Sequence, residues 1–117
     1  MTGSGRPSSP KVELLYFDGC PTYLEAEQNL RTVLDEEGVE TDVSVVAVNT
    51  DEEARRLRFP GSPTIRVGGR DLFPVSERAR WGLACRVYPT PEGPRGAPTP
   101  EMLRAALGRI GEGSQQR

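Results

Sequence analysis

The chain reads as an α/β fold with a central mixed four-stranded sheet flanked by helices, in the order β-α-β-α-β-β-α. Three observations carry that expectation. Apolar runs of strand length alternate with segments of helical period, the pattern of a sheet covered by helices. The first two runs are separated by one long amphipathic segment, so a strand-helix-strand unit with a right-handed crossover and a parallel pair is the simplest outcome. Further on, two short runs are separated only by Gly68-Gly69-Arg70, which calls for a tight antiparallel hairpin and makes the sheet mixed.

The elements follow in order. The run at 12–17, with Val12, Leu14, Leu15, Tyr16 and Phe17, is almost continuously apolar, as a strand covered on both faces has to be. From Pro21 onward, Tyr23, Ala26, Leu30, Val33 and Leu34 recur at helical spacing, Glu25, Gln28, Arg31, Asp35 and Glu36 take the other face, and Gly38 supplies the stop. Residues 41–48 are rich in valine and predict a second strand. Thr50 and Glu53 have capping-box spacing and open a short helix through Ala54 and Leu57 that Pro60 ends. The hairpin strands fall at 64–67 and 71–73. Between Tyr88 and Pro98, alternating Pro and Gly are expected to exclude regular structure. Thr99 as cap and Pro100 at the first helical position then start a last helix carrying Leu103, Ala106, Leu107 and Ile110.

One compact domain at 11–110 is expected from 117 residues, with a disordered polar tail at 1–10 and a flexible one at 111–117. Fifteen basic and seventeen acidic residues give a net charge of −2, which argues against a nucleic-acid or polybasic membrane partner. The tail at 1–10 has neither the apolar core of a secretory signal nor the length of a membrane span, so a cytoplasmic location is expected. The absence of histidine removes Ser-His and Cys-His dyads, imidazole bases and His-ligated metals. Two thiols without clustered carboxylates do not make a tetrahedral zinc site, and Gly68-Gly69 belongs to no phosphate-binding loop. No metal or cofactor is expected.

Chemistry concentrates on the cysteines. Cys20, in Tyr16-Phe17-Asp18-Gly19-Cys20-Pro21-Thr22-Tyr23, falls where a strand gives way to a helix. There the helix dipole favours the thiolate, which is both nucleophile and metal ligand. The plainer alternative is a buried, inert thiol under the helix start. Cys85 lies between Trp81-Gly82-Leu83-Ala84 and Val87-Tyr88, a neighbourhood that suits apolar filler and redox partner equally. Trp81 is expected to anchor a loop. Arg78, Arg80 and Arg86 flank Cys85 and suit either an anion, such as a glutathione carboxylate, or plain solvated surface.

Cys20-Pro21-Thr22-Tyr23 at the helix start, Ser62-Pro63-Thr64 before the third strand, and Gly82-Leu83-Ala84-Cys85-Arg86-Val87-Tyr88 together make residues 12–110 resemble the thioredoxin-like superfamily. Within it the wording is similar to small bacterial proteins sometimes labelled alkylmercury-lyase-like. The resemblance implies a thioredoxin-like fold in which Cys20 attacks a disulfide, oxidant or thiophilic centre and Cys85 is the resolving thiol. It also implies that Pro63 is cis and presents the backbone of Ser62 to a substrate chain. Ser62, Pro63, Thr64, Tyr23 and Asp18 are then the substrate-binding residues. Tyr23 stands where a thioredoxin has its second motif cysteine, so a disulfide within the motif cannot form.

The implied function is a thiol-disulfide oxidoreductase or thiol-dependent reductase, acting on a thiophilic small molecule or a protein disulfide. Two alternatives stand beside it. In one, the cysteines capture a soft metal or organomercurial, with Asp18 as proton donor; in the other, the chain is a non-catalytic module that binds peptides through its proline loop. Without the resemblance, Pro63 reads as a trans turn residue, Asp18 as a turn residue beside Gly19, and Tyr23 as core packing.

Overall fold

Strand β1 (Val12–Tyr16) takes the middle of the sheet because its side chains find apolar partners on both faces. The fold is a computed structural model that describes residues 11–39, 41–76 and 79–115, with side chains followed to Arg109. The predicted tail at 1–10, Arg78 and the last two residues lie outside the described residues. Successive strand side chains point to opposite faces. Val12 and Leu14 therefore pack with Ala26, Leu30 and Val33 of α1 (Tyr23–Glu36) and with Leu103 and Ala106 of α3 (Pro100–Gln115). Leu15 turns the other way, to Val48, Phe59 and Ala54 of α2 (Asp51–Leu57). Leu14 and Leu30 are fully buried, so truncating either to alanine costs about 2–5 kcal/mol in lost transfer energy and cavity formation.

β1 pairs in parallel with β2 (Val43–Ala47) and antiparallel with β3 (Thr64–Val67), which turns through Gly68 and Gly69 into β4 (Arg70–Asp71). The sheet order is β2-β1-β3-β4, a mixed four-stranded sheet with three helices in an α/β arrangement, as the sequence predicts. Both turn glycines have positive φ, 62° and 83°, which side-chain-bearing residues rarely adopt. At α2, the Thr50 hydroxyl accepts from the Glu53 amide at 3.0 Å, while the Glu53 carboxylate reaches back to the Asn49 amide at 3.0 Å. The Thr99 hydroxyl likewise accepts from the Met102 amide at 3.1 Å to start α3.

Two expectations change. The Pro/Gly stretch is not irregular: β5 (Tyr88–Thr90) and β6 (Gly93–Arg95) form a hairpin in which Pro89 faces Pro94. An antiparallel ladder alternates bonded and non-bonded pairs, and two opposed prolines fit at a non-bonded pair because no ladder N–H is needed there. The backbone of α3 also continues beyond Gly111, where the sequence predicts the tail to begin, as far as Gln115. Among the described residues, no helix is long and apolar enough to cross a membrane.

Candidate functional site

The β1–α1 turn sets the position of Cys20. Its amide donates to the Phe17 carbonyl at 3.0 Å, closing a turn through Asp18 and Gly19. The Phe17 ring lies so close over Gly19 that a Cβ there would stand 2.6 Å from Cζ, so glycine suits the position. Cys20 sits two residues ahead of Thr22, the N-cap of α1, and is 1% exposed. Thr22 makes no capping bond with its side chain. Its hydroxyl instead lies 3.2 Å from Cys20 Sγ. Gly96 backs this threonine closely, since a Cβ there would be 2.7 Å from the Thr22 methyl.

Cys20 is bonded to Cys85, 65 residues along, with the two Cα atoms 5.8 Å apart. In the chain-entropy account, closing a loop of that length stabilises the fold by about 4 kcal/mol. Cys85 is exposed, on a segment held independently of the disulfide. The Ser62 amide donates to the Ala84 carbonyl and the Arg86 amide to the Ser62 carbonyl, each at 2.8 Å, an isolated parallel bridge astride Cys85. Arg86 turns inward and is buried. Its guanidinium pairs with Asp71 at 2.9 Å, donates to the Thr64 hydroxyl at 3.2 Å and to the Phe73 carbonyl, and lies over the Tyr88 ring at 4.7 Å. Gly61 allows this approach, since at φ 141° a Cβ would be 3.1 Å from Arg86 Cβ. With about 1 kcal/mol for each backbone bond and about 2 for a charged one, lifting the segment costs several kcal/mol even after reduction.

The proline loop lies directly behind the sulfurs. The Ser62–Pro63 bond is cis, as the resemblance implies. Ser62, Pro63 and Thr64 are all buried. The Pro63 carbonyl accepts from the Tyr88 hydroxyl at 2.6 Å, the Ser62 hydroxyl accepts from the Phe17 amide at 3.1 Å, and the Thr64 hydroxyl donates to the Gly61 carbonyl at 2.7 Å. Burial pushes the Tyr88 phenol well above its usual range, with Arg86 opposing and Asp71 assisting, so Tyr88 is a neutral donor. The Ser62 carbonyl also stands 3.7 Å from Cys20 Sγ. A disulfide sulfur has no proton, so this contact becomes a hydrogen bond only when Cys20 is a thiol.

Several predicted site residues change role. The backbone of Ser62, expected to face a substrate chain, bonds to residues 84 and 86 of its own chain. Arg86, read as an anion holder or as solvated surface, is instead a buried structural cation, while Arg80 is exposed, as the surface reading has it. Trp81, expected to anchor a loop, is 36% exposed. Tyr23 stacks on Tyr16 with ring centroids 4.0 Å apart. Asp18 is exposed in the turn; partial burial raises the Tyr16 phenol above its ordinary value and the Asp18 charge adds to that. Cys20 is buried, as the inert alternative has it, yet it is bonded to a residue on the surface. Sequence reasoning missed Thr22 as a partner of the sulfur, and Asp71 and Tyr88 as the anchors of Arg86 and Pro63.

The site thus joins a buried sulfur, beside the Thr22 hydroxyl and the start of α1, to a cysteine on the surface. Compared with family models, curated proteins and solved structures, the chain matches none of them.

Proposed function

We propose that the chain is a thiol-disulfide oxidoreductase of thioredoxin-like fold, in which Cys20 and Cys85 cycle between disulfide and dithiol. One observation carries the reading: the only two cysteines of the sequence are bonded to each other across 65 residues, one sulfur at the foot of α1 and its partner on the surface. Each cycle moves two electrons. Two external thiols become a disulfide as the protein disulfide becomes two thiols, or the reverse. In the reduced pair, the Thr22 hydroxyl, 3.2 Å from Cys20 Sγ at the foot of α1, is placed to donate to that sulfur. In a reducing compartment, a disulfide that persists is more often catalytic or sensing than structural.

The test is a redox titration in glutathione buffers, with the dithiol and disulfide forms separated after alkylation. A reversible two-electron couple between about −270 and −120 mV is expected, the span of thiol oxidoreductases. A potential below about −300 mV marks a structural bond and overturns the proposal. Replacing both Cys20 and Cys85 by serine is expected to abolish thiol-dependent reduction of a small disulfide such as hydroxyethyl disulfide.

A further inference from the structure

We propose that Cys85, rather than Cys20, is the sulfur that exchanges with an external thiol, and that Cys20 is the leaving thiolate behind it. The inference rests on the oxidoreductase reading above and reverses the order of attack that the sequence suggests. A thiolate attacks a disulfide along the S–S axis, from the side opposite the sulfur that leaves. Attack on Cys20 therefore has to come from the Cys20 side of the bond, and that residue is 1% exposed, with Thr22 and the Ser62 carbonyl against its sulfur. Cys85 is itself exposed, as is Val87 two residues on at 64%, so a small aliphatic thiol meets it from solvent.

The covering segment is not a loose lid. Residues 84 and 86 are bonded to Ser62 on both sides of Cys85, and Arg86 is held by Asp71, Thr64 and Phe73. Opening the disulfide leaves those bonds in place, so Cys20 stays covered in the dithiol. Full ionisation gains Cys20 at most about 30-fold over an ordinary thiol, which is about 3% thiolate at pH 7. A segment open less than about one part in a hundred more than offsets that gain. When Cys20 is the departing sulfur, the Thr22 hydroxyl 3.2 Å away is placed to donate to it.

The steps balance as follows. A thiolate RS⁻ attacks Cys85 Sγ, an R–S–S–Cys85 bond forms, the Cys20–Cys85 bond breaks, and Cys20 departs with the electron pair. A second thiolate then attacks the R sulfur, releasing RSSR and the Cys85 thiolate, with thiol protons exchanged through solvent. In the opposite direction Cys85 attacks the substrate disulfide first, and Cys20 resolves the mixed disulfide by attacking Cys85.

Cys20→Ser and Cys85→Ser proteins, each with one thiol, are incubated with oxidised glutathione at pH 7, and adduct formation is followed by mass spectrometry. The protein retaining Cys85 is expected to form its adduct at least about tenfold faster than the one retaining Cys20. Equal or faster reaction at Cys20, or no adduct on Cys85, overturns the inference. Because either variant can lose stability, oxidised wild-type protein is also mixed with reduced glutathione, acid-quenched and peptide-mapped. Glutathione on Cys85 is expected, and glutathione on Cys20 overturns the inference. A very low redox potential, which defeats the oxidoreductase reading, leaves the rank order of the two single-thiol proteins readable, so the two failures are distinct.

Discussion

The two ends of the disulfide are held in different ways. Cys20 belongs to the β1–α1 turn, where strand pairing, helix packing and a short backbone turn fix the chain before any cysteine chemistry is considered. Cys85 belongs to an extended segment outside the four-stranded sheet, fixed by two backbone bonds to Ser62 and by one buried arginine. The first region depends on many small apolar contacts, the second on a few polar ones. A polar anchor concentrates stability in single residues, because removing one partner leaves the other buried and unpaired. The Cys85 side is therefore the one that single substitutions can detach.

The largest expected effect is that of Arg86→Met. It strands the Asp71 carboxylate and is expected to destabilise the reduced protein by about 3 kcal/mol in denaturant unfolding, while speeding alkylation of Cys20. A loss under about 1 kcal/mol would mean that the Cys85 segment is held mainly by its backbone.

Tyr88→Phe comes next. It removes the donor to the Pro63 carbonyl and is expected to cost about 1–2 kcal/mol at neutral pH. Its pH dependence is distinctive. The Tyr88 phenol is raised in the folded protein, so below pH 10 both states keep the proton and the stabilisation is complete. Above pH 10 the unfolded chain ionises first, and wild-type stability falls as pH rises. In Tyr88→Phe that alkaline decline is expected to be shallower, with a residual slope from Tyr16, whose phenol is raised in the same direction. Identical alkaline slopes would remove Tyr88 as the cause.

The smallest effect is on the other end of the bond. Thr22→Val, made in the Cys85→Ser protein, is expected to shift the pH midpoint of Cys20 thiolate absorbance upward by less than about one unit, with little change in stability. Arg86→Met in the same background is expected to leave that midpoint nearly unmoved. A larger shift from Arg86 than from Thr22 would show the two ends to be coupled electrostatically.

What the sequence made legible divides along the same line. The apolar run of β1, the period of α1 and the Thr50 and Thr99 caps are local patterns, and they placed the sheet, the helices and Cys20 correctly. The burial of Cys20 was not legible, because the Ser62 carbonyl and the Cys85 sulfur that lie against it come from far along the chain. Arg86 was misread because its acceptor Asp71 lies on the second strand of the β3–β4 hairpin, at no spacing from Arg86 that a sequence pattern fixes. A signal was present all the same. Residues 85–88 alternate exposed, buried, exposed, buried, so an extended reading of Cys85-Arg86-Val87-Tyr88 puts Arg86 and Tyr88 on one inward face. The β5–β6 hairpin was hidden by its own prolines, which are tolerated only because they oppose each other.

The span between the two cysteines has a further consequence. The covalent ring closed at residues 20 and 85 contains α1, β2, α2, β3 and β4, and leaves β1 on one free arm and β5, β6 and α3 on the other. A protease that nicks the ring once, at the exposed Gly68 turn for example, yields two pieces that travel as one species until a reductant separates them. Gel mobility with and without reductant then reports the oxidation state of the pair in any preparation.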